Sequence, residues 1–190
     1  MYNKEVLELY SKLHAEWKKD CKEGPWTHEP DLYDFEYNGY KCYMIRSVAS
    51  GAWCGYVKIP KSIHLPFDVD DLNAHGGITW DESRLPLSEE ETEYRYIGFD
   101  CGHSHDYMPK IQKTLDNLED PFLKQLKEHA LQARKKLGME GGIIYDMFNP
   151  VYRDMNFVIK ELQGMVDQIR NGLEHDTKET EEHIQNNEQQ

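Results

Sequence analysis

Asn38-Gly39 constrains this chain most, because it sits between two aromatic-rich runs, Leu32 to Tyr37 and Tyr40 to Val48. Both residues tolerate the positive φ angles of a type I′ turn, whose twist matches that of two antiparallel strands. The pair in that setting is the strongest short-range hairpin signal a sequence carries. Ser50-Gly51 marks a second turn and Ala52 to Ile59 a third strand. Gly76 to Trp80 and Tyr94 to Asp100 read as two more, with residues 60–73 and 81–93 as acidic connecting loops.

Helical sequence brackets the sheet. Val6, Leu9, Tyr10, Leu13 and Trp17 recur at spacings of three and four, which predicts a helix from near Asn3 to Lys19, capped by Asn3 and ended by Gly24-Pro25. Asp120-Pro121 predicts the start of a second helix, with Leu123, Leu126, Ala130, Ala133 and Leu137 as its stripe and Gly138 as its stop. Asn149-Pro150 opens a third, with Met155, Ile159, Leu162, Val166 and Ile169 inward, closed by Asn171-Gly172. The expected fold is α+β: one domain over residues 1–172, with an antiparallel sheet of about five strands and the N-terminal and C-terminal helices packed on one face. Residues 173–190 are expected to be an acidic, disordered tail.

Charge limits the partners. The 190 residues carry a formal charge of −13, which argues against long nucleic acid and against an anionic membrane surface. Residues 64–106 hold eleven acids against Arg84 and Arg95, and the tail holds most of the remaining excess. No stretch approaches the roughly 20 apolar residues of a membrane span. Met1 to Asp20 has no apolar signal-peptide core. Cys21, Cys42, Cys54 and Cys101 lie far apart with no CxxC, as expected of reduced thiols in a cytoplasmic protein.

Two short segments carry the chemistry: Ala74-His75-Gly76-Gly77-Ile78-Thr79-Trp80, and Tyr96-Ile97-Gly98-Phe99-Asp100-Cys101-Gly102-His103-Ser104-His105-Asp106. Each falls at a strand end, where loops bring side chains together over a rigid platform. His75, Asp100, Cys101, His103, His105 and Asp106 are all of metal-ligating type, and His64 is a weaker addition. Imidazole with carboxylate suits Zn²⁺, Mn²⁺ or Fe²⁺. The same residues serve metal-free acid–base catalysis, or turn capping and core filling. The expected catalytic set is His75, Asp100, His103 and Asp106, and His75, Asp100 and His103 are the expected ligands of a candidate divalent cofactor. Arg46, Arg84 and Arg95 are the candidate phosphate binders, and Trp53, Tyr56, Gly76, Gly77 and Thr79 complete the candidate ligand pocket. Phosphate-loop, dinucleotide and GxSxG patterns are absent.

These segments resemble a family of small, largely uncharacterised phage and bacterial proteins. The resemblance lies in Cys54-Gly55-Tyr56-Val57, in His75-Gly76-Gly77-Ile78-Thr79-Trp80 and in Gly98-Phe99-Asp100-Cys101-Gly102-His103-Ser104-His105-Asp106, with Tyr152-Arg153-Asp154 in support. His105 stands where that pattern has a small residue, which sets it apart from the core site. The resemblance implies a phage or mobile-element setting, the cytoplasm of a host cell, and a pocket built from His75, Asp100, His103 and Asp106. By analogy of context it implies a small nucleotide ligand drawn from immune signalling. The expectation is a hydrolase of a cyclic nucleotide signal. The alternatives are a non-catalytic sponge for that signal and an acidic inhibitor docking on a host protein. A homo-oligomer is compatible with each.

Overall fold

A computed structural model describes residues 3–117 and 150–188, with isolated positions between 121 and 136. Five strands form one antiparallel sheet in the order β1-β2-β3-β5-β4. They are β1 (Leu32–Tyr37), β2 (Tyr40–Arg46), β3 (Trp53–Pro60), β4 (Trp80–Glu82) and β5 (Tyr94–Asp100). Asn38 and Gly39 take φ of 49° and 84°, and Tyr37 pairs with Tyr40, so the expected hairpin is present.

Among the described residues the continuous helices are α1 (Lys4–Lys19), α2 (Pro25–His28), α3 (Pro109–Asn117) and α4 (Met155–Glu188). Strand alternation divides the sheet side chains between two faces. On one, Cys42, Met44, Trp53, Val57, Ile59, Ile97 and Phe99 pack against Val158, Leu162, Met165, Val166 and Ile169 of α4. Gly55 lets this layer close, since a Cβ there would come 2.9 Å from Phe99 and 3.2 Å from Leu162. On the other face Ile45, Tyr56 and Tyr96 gather with Leu85 and with Tyr10 of α1. So α4 covers one face, while α1 delivers Tyr10 to the opposite cluster.

Several boundaries differ from expectation. Gly76 and Gly77 take φ of 72° and 88°, a left-handed conformation incompatible with a strand, so β4 starts only at Trp80. Asn3 caps α1 by accepting from the Glu5 amide and α1 ends at Lys19, both as expected, but Pro25 starts α2 rather than marking the end of α1. Asn149-Pro150 does not open the last helix. Val151 forms a parallel bridge with Asp106, and α4 begins after Asp154, whose carboxylate accepts from the Phe157 amide at 2.8 Å. Nor does Asn171-Gly172 close it, because α4 continues through residues 173–188. Gly172 serves a close approach instead, with Phe67 2.5 Å from where its Cβ would stand. The helix expected from Pro121 to Leu137 falls largely outside the described residues, and α3 was not anticipated. No described helix is long and apolar enough to cross a membrane.

Candidate functional site

Beyond the end of β5 the chain makes a tight turn, closed by the Asp106 amide donating to the His103 carbonyl at 2.9 Å. Two further backbone bonds tie this turn to the segment before α4. The Val151 amide donates to the His105 carbonyl and the Tyr107 amide to the Val151 carbonyl, both at 2.9 Å. The turn thereby faces Arg153, and the loop before β4 brings in His75. Asp106 is the hub, and its side chain has no exposed surface.

His75 Nε2 donates to Asp106 Oδ2 at 2.8 Å. His103 donates to the same oxygen twice, from its amide and from Nδ1, each at 3.1 Å. Arg153 Nε donates to Oδ1 at 2.9 Å, with its guanidinium lying over the Phe157 ring. His105 Nε2 stands 3.7 Å from Oδ1. Gly76 makes the assembly possible, since any Cβ there would lie 2.0 Å from the His103 ring. Burial pushes the Asp106 carboxyl up. The hydrogen bonds from His75, Arg153 and the His103 amide outweigh it and hold the group below the usual carboxylate range.

Asp106 is thus an anion at neutral pH, fixing the tautomer and direction of two imidazoles. The second ring nitrogens, His75 Nδ1 and His103 Nε2, are not used by Asp106, and His103 Nε2 lies against Gly76. Exposure of the side chains rises from 10% at His75 through 27% at His103 to 42% at His105, so the three rings form a path from core to solvent. The rings of His103 and His105 are stacked, 17° from parallel.

Of the four expected catalytic residues, His75, His103 and Asp106 meet. Asp100 does not join them. Alternation along β5 turns it to the opposite face, where it lines a separate cleft with Tyr56, Thr79 and Trp80. Its Oδ1 accepts from the Gly102 amide at 2.8 Å. The expected metal set of His75, Asp100 and His103 is therefore not assembled. The metal-type atoms that converge instead, within 4.8 Å of one another, belong to His75, His105 and Asp106. There Arg153 already occupies one carboxylate oxygen, so a divalent cation competes with a guanidinium. Cys101 is buried, and burial pushes its thiol far up, which makes it a core residue and not a ligand.

The remaining candidates scatter. Arg46 is wholly buried and donates to Gly51 O, Tyr152 Oη and Glu29 Oε2 at 2.8–2.9 Å, with Nε 3.0 Å from Asp31. Trp53 is buried beneath that guanidinium and donates to Glu29 as well. Both are structural. Arg95 forms a two-point ion pair with Asp81, in a cleft with His64 at the start of β5, about 17 Å of strand away from Asp100. Arg84 lines a different cleft with Leu85 and Pro86. Gly76 supports His103, Gly77 has no heavy atom within 4 Å of its Cβ position, and the Thr79 amide donates to Gly98 O. Arg153 lies outside the expected site set, although Tyr152-Arg153-Asp154 is among the segments that carry the family resemblance.

Comparison of the chain with known protein families, with curated proteins and with solved structures finds no match.

Proposed function

We propose that this protein is a hydrolase of a small phosphorylated nucleotide, a cyclic nucleotide signal, acting in the cytoplasm of a host cell with His75 and His103 as its acid–base pair. The observation that carries this reading is that two imidazoles hydrogen-bond to one buried, ionised carboxylate. One imidazole, neutral, takes a proton from water as the water oxygen bonds to phosphorus. The other, protonated, gives a proton to the oxygen that leaves as the P–O bond breaks. Each role is typically worth about 10²–10⁴-fold. Asp106 holds both rings in place and stabilises whichever is cationic. Arg153 neutralises Asp106 and adds positive charge beside the site.

Part of the excess acid of residues 64–106 stands away from the two imidazoles. Asp68, Asp70 and Asp81 line the cleft with Arg95 and Lys61 at the start of β5, while His103 and Asp106 follow its end. Incubating the protein with a panel of cyclic nucleotides, denaturing it and separating the nucleotides tests the reading. New products, lost in His75→Ala and His103→Ala chains that still fold, are expected. Intact nucleotide recovered from a tight complex overturns hydrolysis in favour of sequestration. Activity lost on chelation and restored by a divalent cation would replace the metal-free form with one using His75, His105 and Asp106.

A further inference from the structure

The cleft around Asp100 takes no part in the acid–base arrangement, yet it adjoins it. Gly102 lines the cleft and immediately precedes His103. Thr79 lines it too, three residues beyond the Gly76 that carries the His103 ring. Register explains the shape. Tyr56 of β3 and Trp80 of β4 both pair with Gly98 of β5, one from each side. With no side chain at Gly98, the Tyr56 ring leans across the strand, 2.5 Å from where a Cβ would stand. Tyr56 and Trp80 then meet edge to face at 6.0 Å and 83°. Two residues further along the same face, about 7 Å, Asp100 supplies a carboxylate at the end of this aromatic step. The neighbouring Cys54 thiol is pushed up to about 12 by burial and by Asp100, so it is a neutral wall.

We propose that this cleft is a nucleobase subsite selecting guanine, an inference that rests on the nucleotide reading above. The volume, about 260 Å³, lies just below the roughly 300–1,000 Å³ of pockets that take whole small molecules. It suits one heterocycle. Trp80, half-buried and backed by the buried Tyr56 ring, offers aromatic surface to a flat base. The carboxylate matches guanine, whose N1–H and N2–H are adjacent parallel donors, in a charge-assisted pair of hydrogen bonds. Adenine presents an acceptor at N1 beside its N6–H donors and repels a carboxylate there.

Equilibrium dialysis of the full chain against cyclic GMP and cyclic AMP, counting total base retained, tests the subsite. Turnover of the same nucleotides is followed separately. Cyclic GMP is expected to bind at least about tenfold more tightly, the scale of one good bidentate contact. Asp100→Asn turns one acceptor into a donor and is expected to erase or reverse that ratio. Trp80→Ala is expected to weaken both nucleotides alike and keep the ratio. Equal binding by the wild-type chain, binding of neither, or an unchanged ratio in a folded Asp100→Asn chain overturns the proposal. If Asp100→Asn does not fold, the wild-type ratio and the Trp80→Ala chain decide. A guanine preference without turnover leaves the subsite standing and removes the hydrolase. Turnover without preference does the reverse.

Discussion

Two buried arginine–carboxylate networks among the described residues bear comparison, one built around Arg46 and Glu29 and the other around Asp106 and Arg153. In the first, every strong polar group is turned inward. Arg46 has no exposed surface, and Glu29 accepts from Arg46, Tyr152, Trp53 and the Met155 amide. Burial pushes the Glu29 carboxyl up, but those bonds bring it below its usual range. In the second the carboxylate is more deeply buried, but two of its partners are imidazoles that keep some exposure, 10% at His75 and 27% at His103. An arginine paired with a buried acid therefore does not mark a site. What distinguishes the Asp106 network is that its partners retain proton-transfer capacity after satisfying the carboxylate, whereas a guanidinium does not.

The contrast is sharpest in activity. Asp106→Asn keeps the shape of the hub but removes the charge that orients His75 and His103. It is expected to lower nucleotide turnover by roughly 10²–10⁴-fold, the scale of one acid–base role. Turnover unchanged in a folded Asp106→Asn chain would break the comparison outright.

Arg46→Ala is expected to act in the opposite way. It removes the guanidinium that Glu29 and Asp31 share in a largely buried setting and should reduce unfolding free energy by about 3–5 kcal/mol in urea titration. In any chain that remains folded, turnover per folded molecule should hardly move. A large fall in turnover with unchanged stability would make Arg46 a ligand-binding residue after all.

An acid limb belongs to the Arg46 side as well. His14 is buried, accepts from Trp17 Nε1 at Nδ1, and has no partner at Nε2. Burial holds it neutral and lowers its pKa to about 4, against the pull of Asp31. The folded-state value lies below the unfolded one of about 6.5, so the unfolded chain takes up the proton first as pH falls. Stability should be complete above about 6.5 and decline toward about 4. Melting temperatures across that window should slope less in His14→Leu, and an equal slope would exclude His14 as the cause.

The smallest effect is expected at Arg95. Its pair with Asp81 has both side chains more than a third exposed. Such pairs contribute about 0–1 kcal/mol, so Arg95→Ala should change neither stability nor nucleotide binding beyond that. Binding lost in Arg95→Ala would relocate the anion site to the start of β5.

What was legible in the sequence was local. The Asn38-Gly39 hairpin, the β5 boundaries and the apolar stripe of α4 follow from turn chemistry and periodicity, which act over a few residues. The convergence of His75, His103 and Asp106 was also within reach, since both motifs flank strands that pair, Trp80 with Gly98. Asp100 was misplaced because proximity in sequence was read as proximity in space, while strand alternation sends neighbours to opposite faces. Arg46 looked like a ligand for a phosphate because its partner Tyr152 lies 106 positions away. Arg153 joined the site through a backbone bridge at Val151, which no side-chain pattern announces. Gly172 resembled a helix stop, yet it serves the Phe67 ring.

The layer that α4 provides has a consequence for how the chain is made. All five strands are complete by Asp100, but Val57, Ile97 and Phe99 are covered by residues from Val158 to Ile169. At about 5–20 residues per second, synthesis reaches Ile169 roughly 3–14 s after Asp100. During that interval this face of the sheet lacks its α4 layer and keeps only the cover that Leu65, Val69 and Leu72 provide.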